Sequence, residues 1–256
     1  MKTRIMIAAV VILALAGVYF GWRYYGDVIQ PEQELAAADG EQLALFENIR
    51  PVPAAEQDAA PENGDAPPVN PLAEAEAINP SVVGWITIPG THIDYPIAQA
   101  EDNDFYLHNG FDRQYNYELG CPFLDYRCES DFGGFNSIVY AHHMNKQRMF
   151  ADIALFKDAA FMQEHPTGTL TLKDGTHSVS FFAYLNVMHT ASVYHTALVS
   201  DAEKETYIDD IFSDAVYTAE FSPDELKARE DLHLLLLSTC TYEFTGARGI
   251  LIGIIE

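Results

Sequence analysis

The sequence predicts a mainly β domain, a closed eight-stranded barrel with short helical inserts, preceded by an apolar amino-terminal helix and a disordered linker. Three observations carry that prediction. Beyond residue 77 the chain falls into about eight short runs of Val, Ile, Leu, Thr and aromatic residues, each bounded by Gly, Pro, Asp or Asn. So many strands in about 180 residues suit a closed barrel better than a parallel doubly wound sheet. Before residue 77 the texture is different: first an uncharged apolar run, then an acidic stretch rich in Ala and Pro.

The amino-terminal run is IMIAAVVILALAGVYFGW, Ile5 to Trp22, and it carries no charge. As a helix rising about 1.5 Å per residue it spans roughly 27 Å, close to the hydrocarbon thickness of a bilayer. Lys2 and Arg4 favour a cytoplasmic start, and Tyr19, Trp22, Tyr24 and Tyr25 suit an interfacial belt. Residues 1–26 are therefore expected to form a single-pass plasma-membrane anchor with the rest of the chain outside the cell. Ala14 and Ala16 also make an A-x-A pattern, the mark of a cleaved signal peptide, but cleavage there leaves AGVYFGW at the new terminus. Either way the main domain is exported.

Residues 27–76 are expected to be a linker. From Asp27 to Pro80 there are twelve acidic residues against one basic residue, Arg50, and Pro51, Pro53, Pro61, Pro67, Pro68 and Pro71 interrupt the second half. Such a composition buries too little apolar surface to offset chain entropy. One patch, Glu32 to Arg50, has enough Leu, Ala and Phe for a short amphipathic helix.

The domain expected over 77–256 begins with SVVGWITIPG and THIDYPIAQ, followed by CPFLDYR and FNSIVYAHH. GTLTLKDG, HSVSFFAYLNVMH, HLLLLSTC and GILIGIIE complete the strand set. Helical spacing occurs at Ser200 to Ala215, where Tyr207, Ile208, Ile211 and Phe212 share a face and Ser200 or Asp201 can cap the start. A second insert, Met149 to His165, supplies one or two shorter turns. There is no repeat and no Gly-rich phosphate loop.

Charge removes one class of partner. The chain of 256 residues has a formal net charge of −24, and nucleic-acid binding needs clustered Lys and Arg. Chemistry points instead to the three cysteines. Cys121 and Cys128, if joined by extended chain, lie roughly 23 Å apart at about 3.3 Å per residue, too far for a disulfide. An odd count leaves at least one thiol unpaired, and Cys240 is expected to be free. A buried structural thiol is the plain reading of a lone cysteine; a nucleophile needs a base or cation near it in space.

His142 and His143 end the apolar strand SIVYA, where a strand terminus presents side chains to a site. A metal site is the weaker reading, because no Cys or carboxylate cluster at ligand spacing accompanies them. Arg248 follows the turn TYEFTGA and precedes the last apolar strand, so it can sit opposite Cys240 and donate to an oxyanion or a substrate carbonyl.

These residues carry a resemblance. LSTC (Leu237 to Cys240), Arg248 in the next strand and YAHHM (Tyr140 to Met144) are similar to the signature of the sortases, cysteine transpeptidases that attach proteins to the Gram-positive cell wall. NPSVVGWITIPGTHIDYPI, DNDFYLHNGF, FLDYR and TYEF resemble the class B branch, in the family's order from about Ile78 to Glu256. Ala141 stands where the family commonly has Gly, His143 where Asn is common, and Leu236 where Thr is frequent.

The resemblance implies a sortase-type barrel in which Cys240 attacks the bond after the Thr of a C-terminal sorting signal. His142 would protonate the leaving amine and later deprotonate the incoming one, and Arg248 would hold the substrate or the oxyanion. His142 is preferred to His143 because alternate residues of a strand face opposite sides. Implied partners are surface proteins bearing a sorting signal and an amine of a peptidoglycan precursor or a pilin; no metal or organic cofactor is implied. Two other classes stay open: an exported cysteine protease using water as acceptor, and a membrane-anchored binding module with an inert cysteine.

Overall fold

The structure, a computed structural model, describes residues 2–51, 70–116, 119–219 and 221–256, and of residues 2–12 and 145 the backbone alone. It divides into two compact units, Met1–Ala44 and Leu45–Glu256. In the first, α1 (Lys2–Tyr24) runs through a π-helical turn into α2 (Gln30–Ile49). Among the described residues no helix is long and apolar enough to cross a membrane. Of the expected anchor, residue 1 and the side chains of residues 2–12 lie outside the described part. Leu13, Leu15, Val18, Phe20 and Trp22 are exposed on α1.

The expected linker is partly helical. The Leu- and Ala-rich patch forms α2, and the proline-rich residues 52–69 lie outside the described part. The last turn of α2 belongs to the larger unit, where Phe46 is buried with its ring edge-on to Trp85, Tyr95 and Phe111. Arg50 adds an ion pair to Asp94 at 2.6 Å.

After α3 (Ala73–Ile78) come β1 (Val82–Thr87), β2 (Asp94–Gln99), α4 (Phe105–His108), β3 (Phe123–Leu124) and β4 (Asn136–Tyr140). A small ribbon follows, β5 (His143–Met144) with β6 (Arg148–Met149), then a 3-10 turn at Ala151–Lys157 and α5 (Ala159–Glu164). The chain continues through β7 (Thr167–Leu172), β8 (Gly175–Met188), α6 (Asp201–Asp214) and β9 (Ala215–Thr218). It ends with α7 (Pro223–Lys227), β10 (Leu234–Cys240) and β11 (Ala247–Ile255).

The large sheet runs β11-β10-β4-β3-β2-β1-β7-β8-β9, and pairing of β11 with β8 closes eight of these strands into a barrel. Those eight are the eight runs expected from sequence. The barrel is mixed, because β2–β3 and β4–β10 pair in parallel. Closure depends on the length of β8. Its first half pairs with β7 along one edge, β9 takes over that edge where β7 ends, and the other edge carries β11.

The four leucines of β10 are all fully buried. Leu234 and Leu236 pack with Tyr207, Ile208 and Ile211 of α6 and with Leu226 of α7, while alternation sends Leu235 and Leu237 to the opposite face. A strand covered on both faces reads as a continuous apolar run, which explains LLLL where half-buried strands alternate. The helix that covers it begins with a capping box: the Ser200 side chain accepts from Glu203 N, and Glu203 accepts from the Ser200 backbone. The three cysteines are unbonded, as expected.

Candidate active site

Parallel pairing of β4 with β10 decides where the predicted residues meet. Tyr140 is registered with Ser238, so two residues further on the chain carries His142 beside Cys240 at the same end of the barrel. Two hydrogen bonds extend this alignment past the end of β4: Ala141 N donates to Ser238 O at 3.2 Å, and Thr239 Oγ1 donates to Ala141 O at 2.9 Å. On the other edge of β10 the antiparallel register places Arg248 directly opposite Cys240. Side chains of such a cross-strand pair lie on one face, about 5 Å apart at Cβ.

Cys240, His142 and Arg248 line a single cleft of about 620 Å³, with Asn103, Leu107 and Arg127 among its other walls. Cys240 and His142 are half-buried, open enough to meet a substrate. His142 Nε2 lies 2.8 Å from the Leu107 carbonyl oxygen. Arg248 Nη1 donates to the Ala247 carbonyl at 3.0 Å, one of the five N–H groups of its fork. His143 goes elsewhere: it pairs into the β5–β6 ribbon, and its ring stands edge-on to Tyr242 at 5.4 Å.

Three features of the cleft were not foreseen from sequence. Tyr194 donates or accepts a hydrogen bond with Ser238 Oγ at 2.8 Å and stacks on Tyr140. Burial, offset in part by the Ser238 hydrogen bond and the Arg248 charge, pushes its hydroxyl up to about 12, so it stays protonated as a donor. It comes from the long β8–α6 connection, where no periodicity marks it.

The second feature is a buried carboxylate beneath the cleft. Asp125 has no exposed side-chain surface and accepts from Arg127 Nε at 2.9 Å and Nη2 at 2.6 Å, from Asn103 Nδ2 at 2.9 Å and from Tyr140 OH at 3.0 Å. Burial pushes its carboxyl up, but the hydrogen bonds and charge of Arg127 outweigh it and hold the group below the usual carboxylate range. The same burial and the Asp125 charge push the Tyr140 hydroxyl far up. Asp125 thus ties together Asn103, Arg127 and Tyr140, three residues that line the cleft. The third is the Leu107 carbonyl, which belongs to the backbone and leaves no trace in residue identity.

The thiols separate by environment. Burial drives Cys121 well above its ordinary value and Cys128 to about 11. Cys240 alone among the three lines the cleft. Among the described residues no group of three or more His, Cys, Asp or Glu is arranged to hold a metal.

No family model matches the chain. Individual proteins do. The chain is 31% identical over 193 residues to sortase B of Listeria monocytogenes, covering 75% of this chain and 76% of that protein. It is 27% identical over 188 residues to sortase B of Staphylococcus aureus, covering 72% and 75%. Among solved structures, a class B sortase of Streptococcus pyogenes involved in pilus biogenesis matches with a TM-score of 0.63 at 30% identity, covering 72% of this chain and 97% of that one. A sortase B of Clostridium perfringens matches at 0.66 and 27%, covering 72% and 98%. A barrel closed in the same way and a relative of this identity over three quarters of the chain lead to one conclusion: the protein belongs to the class B sortases, a family of cysteine transpeptidases.

Proposed function

We propose that the enzyme is a membrane-anchored transpeptidase that cleaves a C-terminal sorting signal after Thr and transfers the protein to an amine of the cell wall or of a pilin. The observation that carries this reading is the convergence of Cys240, Arg248 and His142 on one cleft from two adjoining strands and the end of a third. The exposed apolar side chains of α1, Leu13 to Trp22, support an anchor in the plasma membrane with the barrel on the cell-wall side.

In the first half-reaction the Cys240 thiolate adds to the scissile carbonyl, and the Arg248 guanidinium donates to the oxyanion that forms. Collapse breaks the C–N bond, His142 gives its proton to the departing amine, and a thioester remains on Sγ. In the second, an incoming amine attacks the thioester, His142 takes the proton it loses, and Cys240 leaves as thiolate. Cysteine and amine exchange the acyl group without net oxidation. In this arrangement the third group is a guanidinium that faces Cys240, not a carboxylate that orients the histidine as in a Ser-His-Asp triad.

The test uses the full-length chain and fluorogenic peptides carrying Thr at the cleavage position of a sorting-type sequence, each with and without a glycine-based amine. Amine-ligated product that disappears in Cys240→Ala is the expected result. Hydrolysis without ligation identifies a protease instead. No cleavage, with Cys240 inert to alkylation in the folded protein, overturns the enzymatic reading.

A further inference from the structure

We propose that the Leu107 carbonyl, held against the imidazole by Gly120, fixes neutral His142 as the Nε2–H tautomer and makes Nδ1 the nitrogen that exchanges protons with the substrate. The inference rests on the proposed role of His142 in acyl transfer. A carbonyl oxygen only accepts, so a contact of 2.8 Å to Nε2 requires the hydrogen to be on Nε2 in both charge states. In the neutral ring the lone pair is then on Nδ1, and proton uptake and release occur there.

The acceptor is built into the fold. α4 is a single helical turn, so the Leu107 carbonyl belongs to its terminal set without a partner inside the helix. Tyr106, next to it, is fully buried and its hydroxyl accepts from Asn79 Nδ2 at 2.9 Å. The Tyr106 carbonyl accepts from Cys121 N at 3.1 Å, and Gly120 N donates to Asn116 Oδ1 at 3.1 Å. The α4 turn and the Gly120 strap are thereby tied together on one side of the imidazole.

Gly120 permits the approach. Its φ of +62° suits glycine, and a Cβ there would collide with the Tyr106 carbonyl oxygen and lie 3.2 Å from His142 Cδ2. A side chain at 120 must therefore displace the strap, the ring or both. Leu107 and Gly120 act on the chemistry only through His142 and are positioning residues.

The decisive measurement is the ¹⁵N spectrum of histidine-labelled full-length protein at alkaline pH, where imidazoles are neutral, with the signal assigned by its loss in His142→Ala. A protonated Nε2 with an unprotonated Nδ1 supports the proposal; the opposite pattern or rapid averaging of the two tautomers overturns it. Gly120→Ala should mix the tautomers and lower kcat by on the order of 10- to 100-fold while KM moves much less. Should that variant fail to fold, Asn116→Ala, which loosens the strap without crowding it, should shift the tautomer in the same direction. A folded variant with unchanged tautomer and kcat also overturns the proposal. Full activity in His142→Ala would instead defeat the catalytic reading of His142, and the spectrum would still decide the tautomer.

Discussion

Arg248 and Cys240 face each other in one antiparallel register, so the guanidinium can be removed without touching Cys240. Arg248→Ala should lower kcat/KM by roughly 10²- to 10³-fold, the range for losing one oxyanion donor. Arg248→Lys should recover only part of this, since an ammonium keeps the charge but lacks the planar fork. Peptide-cleavage kinetics on both variants check it, and wild-type rates in Arg248→Ala would remove the residue from the mechanism. Asp125 makes a different prediction. Its folded carboxyl titrates below its unfolded value, so it contributes stability that is fully present above about pH 4 and is lost as pH falls through the folded pKa. Asp125→Asn should therefore flatten the fall in Tm on the acid side, while lowering Tm near neutrality because Arg127 loses its partner. Thermal melts of both proteins from about pH 2 to 7 measure this.

Two short elements show how helices are attached to the barrel. Phe46 is the buried anchor of the last turn of α2, and its ring meets three aromatic rings of the larger unit. Phe46→Ala should cost about 3–5 kcal/mol in chemical denaturation, the range for emptying a buried aromatic site. A cost near zero would mean that the turn does not dock in solution. At α6 the capping box is local, and Ser200→Ala should cost only about 1 kcal/mol. The difference between these values separates tertiary burial from the satisfaction of one helix end. Both elements were partly legible. Runs of Val, Ile, Leu, Thr and aromatic residues bounded by turn residues revealed the eight barrel strands, and the 3.6-residue spacing of Tyr207, Ile208 and Ile211 revealed α6. The two-residue strands β5 and β6 and the four-residue β9 were missed, because segments so short take their conformation from the strands they pair with.

At the scale of the molecule, burial sorts the three thiols. Cys121 and Cys128 are driven upward by desolvation, and Cys240 opens on the cleft. At neutral pH the folded enzyme should consume one equivalent of an alkylating reagent, located by peptide mapping at Cys240, and the unfolded chain should consume three. Fast modification of Cys121 in the folded state would contradict the closed barrel. Closure itself rests on β8, whose 14 residues are long enough to serve β7, β9 and β11 in turn.

By itself the sequence pointed to the eight barrel strands, the helical insert, the acidic region before the barrel and the candidate residues Cys240, His142 and Arg248, since each follows from local pattern or from the resemblance. Only the tertiary structure decided that His142 rather than His143 faces the cleft, because the parallel β4–β10 register lies between segments almost a hundred residues apart. The tertiary structure also supplied the Asp125 hydrogen bonds, Tyr194 and the Leu107 carbonyl. A backbone acceptor has no residue type of its own, and a buried carboxylate acquires its partners only when the chain closes around it.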